Sequence, residues 1–173
     1  MKPVADDRER FSQVWREDAP RLLLYARRHV GPDIAPDVVA ETFMVAWRRW
    51  GDVPDPALPW LIGTARNCIK NERRSVRRRD ALADRVGLLE AVIADDAGES
   101  FVRRHEALTR LATLSEQHRE ALLLVSWDGL SVEEAATASG VRPGTFRVRL
   151  HRARRALDPK GPHTVALAFE EMS

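Results

Sequence analysis

Cysteine occurs once in the 173 residues, at Cys68. A single thiol permits neither an intramolecular disulfide nor a cysteine-based zinc cluster. Lysine is almost as scarce. Of 28 basic residues only Lys2, Lys70 and Lys160 are lysines, a bias that fits a G+C-rich genome as well as a use of arginine's forked hydrogen-bonding geometry. No apolar run approaches the roughly 18–20 residues that cross a bilayer, so no membrane insertion is expected. The first ten residues interleave acids with bases and hold no apolar stretch, which argues against a secretory signal. The five histidines, at 29, 105, 118, 151 and 163, lack metal-ligand spacing. There is no glycine-rich phosphate loop, and the acids lie in a spacer or at helix starts rather than clustered for metal. The expectation is a cytoplasmic protein with no catalytic residues, no metal and no cofactor, and not an enzyme.

What the chain does have is charge in blocks. The net charge is only +2. Yet Arg66 to Arg79 holds seven basic residues and one acid, Asp80 to Ser100 six acids and one base, and Arg142 to Arg155 six arginines and no acid. Two basic blocks flanking an acidic stretch suggest two nucleic-acid contacts joined by a spacer that does not bind DNA.

Helical spacing recurs and strand-like alternation does not, so the expected fold class is all-α. Phe11, Val14 and Trp15 fall at i, i+3, i+4. Pro20 suits the first turn of a helix that continues from Leu22 to Val30, where Gly31-Pro32 stops it. Asp33 is placed to cap the next helix, with Pro36 in its first turn. That helix is expected to reach about Trp50, with Gly51 as its C-cap. Asp52-Val53-Pro54-Asp55-Pro56 reads as a stiff loop. A third helix begins near Leu58-Pro59-Trp60. Its Leu61, Ala65, Cys68, Ile69 and Val76 form an apolar stripe, on which Cys68 serves as a small buried hydrophobe. Trp60, Thr64, Asn67, Asn71 and Arg74 form a separate polar, basic face. Trp47, Trp50 and Trp60 suit either core anchors or a functional surface, and Asn67 and Asn71 either a plain surface or a binding face.

Residues 80–100 lose periodicity and read as a linker, with a helical turn near Leu88 to Ile93. Helices return with Phe101, His105, Leu108 and Leu111. Ser115 caps another, carrying Leu122 to Val125 and ending at Trp127-Asp128-Gly129. Ser131-Val132-Glu133-Glu134 has the pattern of a capping box. A short helix with Ala135, Ala136 and Ala138 then ends at Gly140. Pro143 opens a last helix whose Phe146, Leu150, Ala153 and Leu157 point inward. A short helix, a glycine turn and an arginine-rich amphipathic helix make a helix-turn-helix pattern. The outward face carries Gly144, Thr145, Val148, His151, Arg152 and Arg155, flanked by Arg147, Arg149 and Arg154, with Arg142 in the turn. Such a face reaches base edges near its N-terminal end and phosphates at its sides.

Asp37 to Trp50 ("DVVAETFMVAWRRW"), Pro59 to Arg74 ("PWLIGTARNCIKNERR") and Arg119 to Leu157 together resemble the extracytoplasmic-function subfamily of the sigma-70 family. The resemblance runs from about Phe11 to Leu157. It implies a bacterial sigma factor in which residues 1–79 dock on polymerase and hold the −10 promoter element. Residues 80–100 would link, 101–158 would read the −35 element as duplex, and 159–173 would form a tail outside the resemblance. By position, it implies that Asp37, Val39, Glu41, Thr42, Phe43, Ala46 and Trp47 lie on the helix that meets the clamp helices of the core RNA polymerase's largest subunit. It further implies that Trp60, Asn67, Lys70, Asn71 and Arg74, with the loop from Asp52 to Leu58, hold −10 DNA. Arg142, Gly144, Thr145, Arg147, Val148, Arg149, His151, Arg152 and Arg155 would meet the −35 element. Promoter DNA, core polymerase and an anti-sigma factor are the implied partners, with no obligate homo-oligomer. The chain departs from the family pattern at Pro36, Arg142, Phe146 and Val148, which bears on the −35 sequence read rather than on the mode of binding. A stand-alone helix-turn-helix regulator would leave the first basic block and its tryptophans unexplained, and no dimerisation helix is evident.

Overall fold

The computed structural model describes the backbone of residues 5–75 and 109–157, and the side chains of 7–71 and 109–157. The chain folds as two compact units, Met1–Arg79 and Asp80–Ser173. Every regular element among the described residues is helical. The expected linker 80–100, the helix start at Phe101, His105 and Leu108, the stripe residue Val76 and the tail 159–173 lie outside the described residues.

The first unit is built on helices α1 (Ala5–Val30), α2 (Ala35–Arg48) and α3 (Leu58–Ser75), each packed on the other two. Each buries one stripe at helical spacing. Leu22, Tyr25 and Ala26 come from α1; Val38, Val39, Thr42, Phe43 and Ala46 from α2; Leu61, Ile62, Ala65, Cys68 and Ile69 from α3. Thr42 is polar but fully buried, and its hydroxyl donates to the Val38 carbonyl at 2.7 Å and contacts the Cys68 sulfur at 4.0 Å. A buried hydroxyl without such an acceptor would cost on the order of 1–3 kcal/mol.

Three local expectations are corrected here. Pro20 does not begin a helix; it lies inside the 26-residue α1. Proline in a helix interior costs about 3 kcal/mol. Packing on both sides of it offsets that cost: Phe11 upstream stacks on α2, and Leu22, Tyr25 and Ala26 downstream are buried. Asp33 does not cap α2. Ile34 occupies the N-cap with no side-chain bond, the Ala35 and Val38 amides reach the Gly31 and Ile34 carbonyls, and Pro36 has no N–H to satisfy. Gly51 is not a left-handed C-cap. Positive φ occurs at Gly31, Gly129 and Gly140 instead. Helix α2 ends at Arg48, and a tighter 3-10 turn, Trp50–Asp52, takes up the chain and buries Trp50.

In the second unit, helical residues 109–113 precede α4 (Glu116–Ser126), α5 (Val132–Ser139) and α6 (Pro143–Leu157). Ser115 caps α4, accepting the His118 amide. Leu122, Leu123 and Leu124 are buried. The capping box forms in full: the Ser131 hydroxyl accepts the Glu134 amide at 3.2 Å, and the Glu134 carboxylate accepts the Ser131 amide at 2.8 Å. Helix α5 ends at Gly140, whose φ of 66° favours glycine, and the Val141 amide reaches back to the Ala136 carbonyl at 3.0 Å. Ala135, Ala136 and Ala138 are all but fully buried, and such small side chains let helices approach closely. Phe146, Leu150, Ala153 and Leu157 form the inward stripe of α6, with Phe146 wholly enclosed.

The box satisfies backbone amides at the start of α5. Ser131→Ala removes the cap from a helix of only eight residues and is expected to cost about 1 kcal/mol. Urea denaturation followed by circular dichroism checks this; an unchanged midpoint contradicts it.

Candidate functional site

The inward stripe of α6 fixes which side chains face outward. Arg142, Gly144, Thr145, Arg147, Val148, His151, Arg152 and Arg155 are exposed, and Arg149 is half-buried. All nine expected residues therefore lie outside the core, on α6 and the turn before it. Val148 is 51% exposed and puts an apolar group on this face, of the kind that can contact a thymine methyl. A Cβ added at Gly144 would meet nothing within 4 Å, so packing does not require glycine there, and the first turn of α6 stays open to a close approach. The first turn holds no acid, leaving its partial positive charge uncancelled from within. Arg147 pairs with Glu133 of α5, tying the two helices together at the surface. Both side chains are about 60% exposed, so this bridge contributes at most about 1 kcal/mol and can yield to a phosphate.

On α3, Asn67, Lys70 and Asn71 are exposed, while Trp60 and Thr64 are half-buried beside them. The backbone of Arg74 continues the same helix; its side chain lies outside the described ones. At the start of α3 the loop shows a clear division. Val53, Ala57 and Leu58 are buried and anchor it, while Pro54, Asp55 and Pro56 are exposed. Arg49 bonds Asp52 at 3.0 Å and carries its guanidinium 6.0 Å from the Trp60 ring centre. Arg10 of α1 donates to the carbonyls of Val53 and Pro54, both at 3.0 Å. Sequence reasoning missed Arg10. Nothing local marks it, because its partners lie 43 and 44 residues away.

The seven positions expected on the docking helix divide. Asp37, Glu41 and Trp47 are exposed, but Val39, Thr42, Phe43 and Ala46 are buried, at 7%, 0%, 2% and 0% exposure. All four hold α2 against its neighbours; Val39, Thr42 and Ala46 offer nothing to a partner, and Phe43 shows only as the floor of a groove. The outer face of α2 instead adds Ala40, Met44 and Arg48. With Arg8, Phe11, Ser12 and Trp15 of α1 they line an apolar groove of about 720 Å³, floored by Phe43 and walled by Trp47. Trp15 and Met44 are 43% and 58% exposed. Phe11 meets Phe43, Trp47 and Trp50 edge to face at 5.8, 4.8 and 5.2 Å, and Trp15 lies tilted against Phe43 at 4.5 Å. The signal for the groove was present in sequence as Phe11 and Trp15 one turn apart, opposite Ala40, Met44 and Trp47 at i, i+4, i+7. The three tryptophans left open by the sequence take three positions: Trp50 in the core, Trp60 half-buried, and Trp47 on the groove.

Two all-helical units, one a helix-turn-helix with an arginine face and the other with an aromatic groove beside a polar helix face, define a DNA-directed binding protein. Comparison with known proteins identifies the class further. Residues 14–79 match the family model Sigma-70 region 2, and residues 104–157 match Sigma-70, region 4. The ECF RNA polymerase sigma factor SigL of Mycobacterium tuberculosis is 38% identical over 150 residues, covering 83% of this chain and 84% of that one. The RNA polymerase sigma factor CarQ of Myxococcus xanthus is 33% identical over 146 residues, covering 82% and 83%. A solved structure of the sigma factor RpoE with the anti-sigma factor NepR from Bartonella quintana matches with a TM-score of 0.63 and 27% identity, covering 87% of this chain and 96% of that one. CnrH, solved with the cytosolic domain of CnrY, matches with a TM-score of 0.62 and 26% identity over 88% and 87%. The chain belongs to the extracytoplasmic-function subfamily of the sigma-70 family. It is a sigma factor, a transcription initiation factor and not an enzyme. Among the described residues no helix is long and apolar enough to cross a membrane, and no three metal-ligating side chains converge.

Cys68 lies on the hidden side of α3, away from the Asn67–Asn71 face. Burial pushes its thiol pKa up, and the Glu41 carboxylate adds to the rise against a smaller opposing bond from Thr42. The thiolate of the folded chain therefore forms at higher pH than that of the unfolded chain. Labelling by a thiol reagent at about pH 8 is expected to be slow in buffer and fast in urea. Equal rates would contradict the burial of this side chain.

Proposed function

We propose that this sigma factor binds core RNA polymerase and directs it to promoters bearing −35 and −10 elements. Residues 101–158 read the −35 element as duplex. Helix α6 enters the major groove, with Gly144, Thr145 and Val148 toward base edges and Arg142, Arg147, Arg149, His151, Arg152 and Arg155 toward phosphates and neighbouring bases. Residues 1–79 hold the −10 element as single strand. Trp60 offers a stacking surface, Asn67 and Asn71 amide hydrogen bonds, Lys70 and Arg74 charge, and the loop from Asp52 to Leu58 a pocket beside them. The exposed side of α2, with Asp37, Glu41 and Trp47, and the groove beside it take the clamp helices of the largest polymerase subunit. Residues 80–100 form the link between the two functions.

The observation that carries this reading is the arginine face of α6, exposed except for the half-buried Arg149, behind an inward stripe of apolar residues. Each small face makes few contacts, so the free chain binds DNA weakly. On polymerase the two readers are held together and their affinities combine through effective concentration. This reading places the protein with polymerase in the cytoplasm. One neighbouring fold, RpoE of Bartonella quintana, was solved with the anti-sigma factor NepR. An anti-sigma partner that covers the same basic face would regulate this chain by competition.

Run-off transcription with purified core polymerase on a genomic promoter library tests the reading. Transcripts that require this chain and share spaced −35 and −10 motifs are expected. Arg152→Ala is expected to lower −35-dependent initiation, and Asn71→Ala to lower −10 opening, each by about tenfold, the size of one good contact. Trp47→Ala is expected to weaken co-elution with core polymerase. Absence of both transcripts and co-elution would leave a stand-alone DNA-binding regulator as the better account. If the Arg152 and Asn71 variants transcribe like the parent, the residue assignment is wrong.

A further inference from the structure

We infer that Arg10 is a positioning residue that presets the loop around Pro54–Pro56 for the −10 strand, holding it from α1 through two backbone carbonyls. The inference rests on the reading that this loop and α3 hold the −10 element.

The loop cannot secure itself. Pro54 and Pro56 have no N–H to donate, and no backbone–backbone hydrogen bond among the described residues tethers positions 54–56. Carbonyls in such a segment need donors from elsewhere. Arg10 supplies one to Pro54 and another to Val53 just before it. A single terminal nitrogen of its guanidinium donates both hydrogens, one to Val53 and one to Pro54, each at 3.0 Å. The same guanidinium lies 4.9 Å from the centre of the Trp50 ring, and Trp50 is itself 95% buried. Arg10 is thus seated on a fixed platform and grips the loop just before its exposed tip.

The neighbouring residue extends the consequence. Phe11 stacks on Trp50 as well as on Phe43 and Trp47 of the groove. One turn of α1 therefore fastens the loop on one side and the groove on the other. A loop already fixed before DNA arrives does not lose conformational freedom on binding, and a pocket of fixed shape discriminates between bases better than one that adapts. Lysine cannot replace this arginine. It keeps the charge but lacks the planar group that stacks on Trp50 while bridging two carbonyls.

The test uses the full chain bound to core polymerase, with fluorescent single-stranded oligonucleotides carrying the −10 sequence defined by run-off transcription or that sequence with one base changed. The readouts are affinity for core polymerase and the ratio of affinities for the two oligonucleotides. Arg10→Ala and Arg10→Lys are both expected to bind core polymerase like the parent and to lose about tenfold in discrimination, the cost of ordering one or two groups on binding. Arg10→Lys discriminating as well as the parent overturns the inference, because charge alone would then suffice. If Arg10→Ala also loses core binding through misfolding, Arg10→Lys decides the matter on the same readout. A parent that does not discriminate between the oligonucleotides overturns the −10 assignment itself, a result distinct from a discriminating parent matched by its variants.

Discussion

A helix can offer particular side chains to a partner only if its opposite stripe is buried firmly enough to fix its rotation about its own axis. Every candidate surface in this protein depends on that constraint. Phe146, with no exposed surface, and Leu150, Ala153 and Leu157 behind it set the rotation of α6. Rotating the helix by one residue would bury arginines and expose Phe146. Truncating a buried phenylalanine of this kind costs about 3–5 kcal/mol, more than any of the surface ion pairs contribute. Thr42, Phe43 and Ala46 do the same for α2, and Leu61, Ala65 and Cys68 for α3. The polar faces are determined by the apolar ones.

Electrostatics acts over this scaffold rather than holding it together. Among the described residues, Arg147 of α6 pairs with Glu133 of α5, and both side chains are exposed. The charge is left to attract phosphate, a term that is independent of sequence and weakened by salt. On the proposed reading, specificity comes from the few groups placed to approach bases closely, Gly144 and Val148 on α6 among them. In the first unit the charged groups have a different task. Arg10 and Arg49 flank the loop before α3 and bond to it, one through backbone carbonyls and one through Asp52. There arginine serves as a clamp, in geometry that lysine would not reproduce.

The sequence was most informative where the physics is local. Ser131 with Glu134, the left-handed Gly140 and the stripe Phe146–Leu157 each depend on residues a few positions apart, and the structure has all of them. It was least informative where tertiary packing outweighs local preference. Pro20 continues a helix because both flanks are anchored, and Gly51 enters a 3-10 turn because burying Trp50 tightens the chain there. Family resemblance implies a docking role for α2 but carries no information on its rotation, so it puts Val39, Thr42, Phe43 and Ala46 together with Asp37, Glu41 and Trp47. Burial separates them. The groove could have been anticipated by pairing Phe11 and Trp15 with Met44 and Trp47 across two helices. Arg10 could not, since no periodicity connects a residue to carbonyls more than forty positions away.

The central claim is that two DNA-reading faces on one chain act together once polymerase fixes them. The most direct measurement is transcription from promoters in which the −35 and −10 motifs are kept and the spacer between them is changed one base pair at a time. Each base pair added turns one motif by about 34° relative to the other along the duplex. The account predicts a sharp optimum, with initiation falling steeply on either side of one spacer length. Initiation that is indifferent to spacer length, or that persists when the −35 motif is removed, would contradict it.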